Sequence, residues 1–288
     1  MNSSKLIGLS ESREDRTKIP KATWLIMETA NSFGVKLEDI DPRKVEFEFT
    51  PQGVIPYFNE RDLLELNTLI TRRTRGLETQ CHGLATALES QGIKCVDPSD
   101  SLVYPSEKLY FQVQRGGKFA PKSAFLNSSE GLEKTLERLD LEIGNFIVKP
   151  QRGTRKEGFV DVRTQDDYKK VLGEYSQTPL IVQERIDLED EFRAIVVGDR
   201  CLGLARDDPL SPTNYKEFVR DDDIEKIALE ISKLHSHDVL GIDIGVGKDE
   251  RIVVFEANRN PNFYPFQQVA EGRVNVANEI VAYALKEN

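Results

Sequence analysis

The sequence is poor in cysteine and histidine, and it contains no long apolar run. Its three cysteines, Cys81, Cys95 and Cys201, are odd in number, and their spacing matches no zinc-binding pattern. We therefore expect reduced thiols. No apolar stretch approaches the roughly 20 residues of a membrane-spanning helix, and residues 1–21 lack the apolar core of a signal peptide. These absences predict a cytoplasmic protein without a membrane partner.

Common catalytic motifs are also missing. The chain has neither the Gly-x-Ser-x-Gly elbow of the α/β-hydrolases nor the Gly-Lys-Ser/Thr order of a P-loop. His235 and His237 are two apart near a predicted helix end, a spacing that does not converge on a metal. A charge at the helix end is the simpler role for them. Cys81 and His82 have no obvious acidic partner, so thiol catalysis is disfavoured.

Positive charge is in deficit, because 39 lysines and arginines face 49 aspartates and glutamates, for a net charge of -10. Such a surface repels a phosphate backbone, which disfavours nucleic acid as a partner. Hydrophobic residues make up 39% and charged residues 31% of the 288 residues. This balance is typical of a globular protein, and the length suggests about two domains.

Strand-like and helical segments alternate over about the first hundred residues, which predicts an α/β unit. We expect a flexible lead-in or early loop over residues 1–21. Strands are predicted at 22–27, 45–49, 54–58 and 93–96, and helices at 61–73 and 78–91. Further along, helices are predicted at 107–115, from 129, at 166–174, 222–235 and 269–285. Strands are predicted at 146–149, 159–162, 180–184, 192–197, 201–205, 241–246 and 252–257.

Two neighbouring apolar runs each carry acidic or amide side chains. Glu256 and Asn258 are two apart on a predicted strand, so they point to one face. If the strand that carries Asp243 pairs alongside, three oxygen-bearing side chains converge. Hard oxygens held close together suit Mg²⁺, with nucleotide phosphates completing its shell. A phosphate-handling enzyme is therefore the leading idea, although structural acids could produce the same pattern.

Cationic side chains upstream are consistent with bound phosphate. Lys149 leaves an apolar strand and enters the loop 151–158, which contains glycines and further basic residues; loop N–H groups and cations suit phosphate oxygens. A solvated hairpin is the alternative. Glu191 and Arg193 share a strand face and could hold a ribose and an anion, or form an exposed ion pair. Arg206 could be another anion clamp or a strand-end charge.

These pieces, in this order, resemble the ATP-grasp superfamily, and within it the RimK-like branch of carboxylate–amine ligases, related to the ATP-binding domain of glutathione synthetase. The resemblance spans roughly residues 98–285. It rests on FIVKP at 146–150, VQE at 182–184, EFRAIVV at 191–197, GIDI at 241–244, and FEAN at 255–258 with Pro261.

The resemblance implies roles for individual residues. Lys108 and Lys149 would bind ATP phosphates, under a lid formed by the loop 151–158. Arg193 and Arg206 would steady the transferred phosphoryl group or the acyl phosphate. The remaining positions divide into an adenine pocket (Gln183, Glu184, Arg185, Ile186), a ribose contact (Glu191) and a site for Mg²⁺ or Mn²⁺ (Asp243, Glu256, Asn258).

The implied fold is an α/β (α+β) ATP-grasp fold with an N-terminal pre-ATP-grasp α/β domain at 1–105. A central subdomain with the lid would span 106–185, and a C-terminal subdomain with the Mg²⁺-binding acids would span 186–288. The implied activity is an ATP-dependent ligase that joins a carboxylate to an amine through an acyl phosphate, on an amino acid, peptide or protein. Many family members are dimers or tetramers, so a homo-oligomer is one of the implied partners.

Two other functions remain open. The lid is heavily charged and poor in glycine, and the N-terminal region diverges from the family. These features would also suit an ATP-binding regulatory or scaffold protein that has lost ligase activity. A kinase on an ATP-grasp scaffold would share the same phosphate and metal residues.

Overall fold

The computed structural model describes residues 5–13, 15–74, 76–102, 118–151, 158–208, 210–211 and 213–286. The chain divides into two compact units. Unit 1 comprises residues 1–105, 193–242 and 258–288, and unit 2 comprises residues 106–192 and 243–257. Among the described residues, no helix combines the length and the apolar character needed to span a membrane.

The first part of the chain alternates strands with helices, as the sequence predicts. Its elements are β1 (Leu6–Glu11), α1 (Lys21–Ser32), β2 (Lys36–Ile40), β3 (Val45–Thr50), β4 (Gly53–Phe58), β5 (Arg61–Asp62), β6 (Thr68–Arg72), α2 (Glu78–Glu89), β7 (Lys94–Val96) and α3 (Ser99–Leu102). Four parallel strands form a sheet in the order β2-β1-β6-β7, and β3-β4-β5 form a small antiparallel sheet.

The rest of the chain builds two further sheets. Its elements are β8 (Ser123–Leu126), α4 (Leu132–Leu139), β9 (Phe146–Pro150), β10 (Val160–Val162), α5 (Gln165–Glu174), β11 (Leu180–Glu184), β12 (Leu188–Val197), β13 (Arg200–Asp207), β14 (Tyr215–Val219), α6 (Asp222–His235), β15 (Val239–Gly247), β16 (Ile252–Arg259), α7 (Tyr264–Val269) and α8 (Val276–Leu285). The strand orders are β10-β9-β11-β8 and β14-β13-β12-β15-β16.

The predicted lead-in over residues 1–21 is wrong in its middle, because β1 is a buried strand that pairs with β2 and β6. Strands of parallel sheets are covered on both faces, so they show no polar–apolar alternation. Gly8 is needed within β1, because a Cβ there would lie 2.8 Å from side-chain carbons of Ile40 and Leu66.

Two more predictions in this region are wrong. Residues 22–27 belong to α1, which buries Ala22, Ile26 and Ala30 at helical spacing. The predicted helix at 61–73 is instead β5, a 3-10 turn and β6. All five residues of β6 are buried, and a short, fully buried strand cannot be told from a helix by periodicity alone.

Most of the other predicted elements are confirmed. The strand at 180–184 and the helix at 222–235 match β11 and α6. The predicted last helix at 269–285 is confirmed only from Val276, where α8 begins, because residues 270–275 form a turn that contains Gly272 at φ +80°. The preceding helix α7 was not anticipated. β2, β8 and β14 were not anticipated, and the predicted helix at 107–115 lies outside the described residues. The three-part domain division stays a prediction.

Each unit has its own apolar core. In unit 1, Ile26 of α1 and Ile280 of α8 pack with Ile7 and Ile70 of the parallel sheet. In unit 2, α4 and α5 cover the sheet β10-β9-β11-β8, and the core includes Leu132, Phe146, Val171 and Leu180. Most of the strands that carry the polar side chains described below pack against these two cores.

Candidate functional site

Lys149 and Gln183 are brought together on unit 2. Their strands, β9 and β11, are antiparallel neighbours in which Ile181 is opposite Lys149, so Gln183 lies on the same face as the lysine, one step further along. Lys149 Nζ donates to Gln183 Oε1 at 2.8 Å. Gln183 is fully buried, and its amide donates to Ser123 Oγ at 3.3 Å. The ammonium group is therefore held at a defined position at the end of β9.

The predicted adenine segment follows directly along β11. The backbone N–H groups of Glu184 and Arg185 donate to Lys122 O at 2.8 Å and Asn145 O at 2.7 Å. The Glu184 carboxylate accepts from Arg251 Nη1 at 2.8 Å. Both N–H groups and this carboxylate thus have partners within unit 2, and they fix the direction in which the chain leaves the strand towards Ile186.

Glu191 and Arg193 are two apart on β12, as predicted, and therefore share a face. A glycine to which the sequence assigned no role lies beside Arg193. A Cβ at Gly241 would come within 2.8 Å of Arg193 Nη1 and 2.7 Å of Pro261 Cβ. Gly241 is thus required for the guanidinium group to lie where it does. The signal was visible as a glycine inside the apolar run that precedes Asp243.

Arg206 lies on β13 opposite Glu217 of β14, and Arg206 Nη1 is 3.3 Å from Glu217 Oε1. Both side chains are partly exposed. This ion pair agrees with the interpretation of Arg206 as a strand-end charge, and its interpretation as an anion clamp stays a prediction.

The residues of the predicted metal site lie on neighbouring strands. Asp243 is on β15, and Glu256 and Asn258 are on β16. A tight turn joins these strands, with Gly247 N donating to Arg251 O at 2.9 Å. Asp243 and Glu256 belong to unit 2, whereas Asn258 belongs to unit 1. The strand of Asp243 therefore lies beside the strand of Glu256 and Asn258, as the predicted metal site requires.

The donor chemistry of this set suits a hard cation. Two carboxylates and an amide oxygen are ligands for Mg²⁺ or Mn²⁺, and they would leave positions for phosphate oxygens. Within the described ranges, no group of three or more His, Cys, Asp or Glu side chains is arranged to hold a metal. The predicted set contains only two acids, so this result does not bear on it.

Some of the predicted site residues lie outside the part of the chain that the structure describes. Lys108 and residues 152–157 of the predicted lid lie outside the described residues. Gly158, the last residue of the predicted lid, has φ +70°, and its carbonyl accepts a hydrogen bond from the Tyr175 hydroxyl. This bond ties Gly158 to the C-terminal end of α5.

Burial shifts the pKa values of two cysteines and one histidine and so determines their protonation near neutral pH. Burial raises the pKa of the Cys81 and Cys201 thiols to about 11 in each case, so neither is a thiolate near neutral pH. Burial lowers the pKa of His237 to about 4, so this histidine is neutral there. The expected helix-end charge at His237 is therefore wrong. The raised pKa of the Cys81 thiol agrees with the prediction that disfavours thiol catalysis there.

Comparisons with known proteins identify the family. The RimK-like ATP-grasp domain matches residues 111–284, which is more than half of the chain. The chain is also 25% identical, over 213 residues, to the coenzyme gamma-F420-2:alpha-L-glutamate ligase of Methanocaldococcus jannaschii. This match covers 69% of the chain and 73% of that protein.

Solved structures show the same fold over nearly the whole length. The ATP-grasp ligase PsnB, complexed with a phosphomimetic variant of its minimal precursor, Mg and ADP, has a TM-score of 0.76 at 16% identity, with 99% of each chain covered. The macrocyclase MdnC of Microcystis aeruginosa MRC, bound to its precursor peptide MdnA, has a TM-score of 0.72 at 18% identity, with 98% of this chain and 99% of that chain covered.

The fold and the ordered polar residues define an ATP-grasp protein. More particularly, the chain belongs to the RimK-like ATP-grasp family. The predictions of the fold and of the RimK-like branch are confirmed, and with them the class of ATP-dependent carboxylate–amine ligases. The N-terminal region lies outside the family match, but it is included in the structural similarity.

Proposed function

We propose that this chain activates a carboxylate group of a peptide with ATP and joins it to an amine. The observation that carries the proposal is the polar set on this fold, in which one pair of neighbouring strands carries Lys149 and Gln183 and another carries Asp243 and Glu256. Peptide as the substrate class is supported by PsnB and MdnC, whose solved structures contain precursor peptides.

The reaction has two balanced steps. A carboxylate oxygen attacks the γ-phosphorus of ATP, the bond to the β-phosphate bridging oxygen breaks, and ADP leaves. The amine then attacks the acyl carbon, loses a proton, and expels inorganic phosphate as the amide forms. Both steps bring anions together, so cations and hydrogen-bond donors at fixed positions are what the protein must supply.

Individual residues would provide this environment. Lys149, held by Gln183, would face the ATP phosphates, and Lys108 would join it. Asp243, Glu256 and Asn258 would hold Mg²⁺ or Mn²⁺, which supplies charge neutralisation at the phosphates. A second group would meet the rest of the substrates: Gln183, Glu184, Arg185 and Ile186 at adenine, Glu191 at ribose, and Arg193 and Arg206 at the acyl phosphate.

The test is an ADP-release assay with Mg²⁺, ATP and mixtures of acidic peptides and amines. We expect acceptor-dependent ADP formation, and its loss in Asp243→Asn and Glu256→Gln. No acceptor-dependent turnover, with both variants indistinguishable from the parent protein, would contradict the proposal. Tight ATP binding without ADP would favour a regulatory protein, and a phosphorylated product stable to hydroxylamine would favour a kinase.

A further inference from the structure

A second polar cluster lies in unit 1, at the carboxyl end of the parallel sheet. The chain leaves β1 to form β2 on one side and later returns to form β6 on the other side. The position between β1 and β6 is thus a topological switch point, where the loops diverge and open α/β sheets bind ligands. Charged side chains occupy both strand ends at this position, because β1 ends at Glu11 and β6 ends at Arg72.

The central pair is buried and surrounded by further arginines. Glu11 and Arg72 are side by side in the parallel ladder, and their exposed fractions are 0% and 3%. Arg13 Nε is 3.1 Å and Arg73 Nε is 3.6 Å from the Glu11 carboxylate. The Glu11 carboxylate also accepts from Thr23 Oγ1 at 2.9 Å. One carboxylate therefore faces several guanidinium groups.

Two of these guanidinium groups keep buried N–H donors without an acceptor. Arg13 is 5% exposed, and its Nη1 has no hydrogen-bond partner; Arg72 Nε likewise has none. The Arg13 Nε–Glu11 contact is close but not aligned as a hydrogen bond. Arg72 Nη2 donates to Pro261 O at 3.1 Å, and Arg72 Cζ lies 5.3 Å from the centroid of the Phe263 ring. Buried donors of this kind are costly unless water or a ligand satisfies them.

The cluster is locally cationic in an acidic protein. Arg13 and Arg16 share Asp39, with Arg16 Nη2 2.5 Å from its carboxylate. Four arginines (Arg13, Arg16, Arg72, Arg73) thus face three carboxyl groups (Glu11, Asp39 and Asp97, which interacts electrostatically with Arg72), whereas the whole chain has a net charge of -10. A positive excess maintained against the overall charge is what an anion site requires.

The two helices that follow these strands add to the positive electrostatic potential of the cluster. α1 and α2 are each 12 residues long and begin after β1 and β6, and neither has a side-chain hydrogen bond at its N-cap, Pro20 and Leu77 respectively. Uncapped helix N-termini present backbone N–H groups and a partial positive charge. Arg73 has 54% of its side chain exposed, so it is the most accessible residue of the cluster.

We propose that this cluster, formed by Glu11, Arg13, Arg72 and Arg73, binds a carboxylate of the peptide substrate other than the carboxylate that reacts with ATP. The inference rests on the proposed function for the identity of the ligand. A planar carboxylate matches the fork of a guanidinium group. The fixed negative charge of Glu11 disfavours a doubly charged phosphate more than a singly charged carboxylate.

The test measures binding of an N-acetylated tetraglutamate peptide by calorimetry, without ATP or Mg²⁺, with inorganic phosphate as the competing probe. We expect saturable binding that Arg73→Gln weakens about tenfold or more, as loss of a charge-assisted pair predicts. Arg72→Gln should abolish it. Arg163→Gln is the matched control, because the Arg163 side chain is 55% exposed, is paired with Asp161, and lies on unit 2. Thermal unfolding checks that each variant is folded.

Each outcome decides the question. No saturable binding, or equal binding by Arg73→Gln and the parent protein, overturns the proposal and assigns the buried donors to internal water. Displacement of the peptide by phosphate at equal concentration also overturns it in favour of a phosphate site. Peptide binding in a protein that never releases ADP would defeat the proposed ligase function but leave this site intact, so the two failures are distinguishable.

Discussion

Lys149 Nζ and Gln183 Oε1 lie 2.8 Å apart across two neighbouring strands, and Gln183 is fully buried. The amide thus fixes a cation without neutralising it. A carboxylate at the same position would hold the lysine equally well but would cancel its charge. An amide therefore orients Lys149 without itself cancelling the positive charge.

This relationship predicts that Gln183→Glu weakens ATP binding while the protein stays folded. The new carboxylate would pair with Lys149 and compete with phosphate, raising the Kd for ATP roughly tenfold, or about 1.4 kcal/mol. Titration calorimetry measures the effect. Gln183→Met, which removes the acceptor without adding charge, should have a smaller effect; the reverse order would contradict this role of the amide.

The Mg²⁺ requirement of ADP release should depend on Asp243 and Glu256, the acids of the neighbouring strands β15 and β16. We expect Asp243→Asn and Glu256→Gln each to raise the Mg²⁺ concentration needed for half-maximal ADP release by about 100-fold, a large effect for a metal site. Asp249→Asn is the control, because Asp249 lies in the turn between the same strands with 63% of its side chain exposed. Magnesium titrations that coincide for all three variants would exclude this pair as ligands.

Gly241→Ala should damage both stability and activity. The added methyl group meets Arg193 Nη1 and Pro261 Cβ at 2.8 and 2.7 Å, and overpacking of this kind costs about 1–3 kcal/mol. Gly173→Ala in α5 provides the contrast, since its Cβ meets nothing within 4 Å, and alanine should stabilise the helix by about 0.5–1 kcal/mol. Urea unfolding and ADP release measure both variants, and an unchanged Gly241→Ala protein would refute the crowding.

Asp97 predicts a pH dependence of stability. Burial raises its pKa from 3.8 to about 6, although the backbone N–H groups of Asp238 and Val239 oppose the shift. The folded state therefore holds this proton more tightly than the unfolded state. The contribution of Asp97 to stability is thus full below 3.8 and is lost as the pH rises towards about 6.

The measurement is the free energy of unfolding in urea for the parent protein and for Asp97→Asn. Asparagine keeps the acceptor oxygen and removes the titration, so the parent protein should lose stability relative to the variant between about pH 4 and pH 6. Burial and, after it, the Asp97 charge also raise the pKa of Asp238 to about 6, so the difference between the two curves reports both carboxyl groups together. His237, whose pKa burial lowers to about 4, is present in both proteins. Parallel curves would show that Asp97 does not titrate as stated.

The sequence was most informative where short apolar segments carry the polar residues of a known family motif. The strands that carry Lys149, Gln183, Asp243 and Glu256 were predicted from short apolar runs, whereas the pairing of the first two strands came from the structure. The ordered set indicated the family. The N-terminal sheet was harder, because β1 and β6 are buried on both faces and carry no periodic signal.

The contacts between distant residues could not be predicted. The role of Gly241 depends on Arg193 and Pro261, which lie in other elements. The cluster around Glu11 needs β1 and β6 to be neighbours in register, and the sequence assigned one of them to a loop and the other to a helix. Side-chain chemistry was readable from the chain, whereas three-dimensional juxtaposition required the fold.

The central claim is that a carboxylate is activated through an acyl phosphate, and isotope transfer tests it most directly. Acidic peptides labelled with ¹⁸O in their side-chain carboxylates are incubated with ATP, Mg²⁺ and an amine. One labelled oxygen should appear in the released phosphate for each amide formed, and none should appear with Glu256→Gln. Phosphate that carries only solvent oxygen, or a phosphorylated product with no free phosphate, would contradict the account.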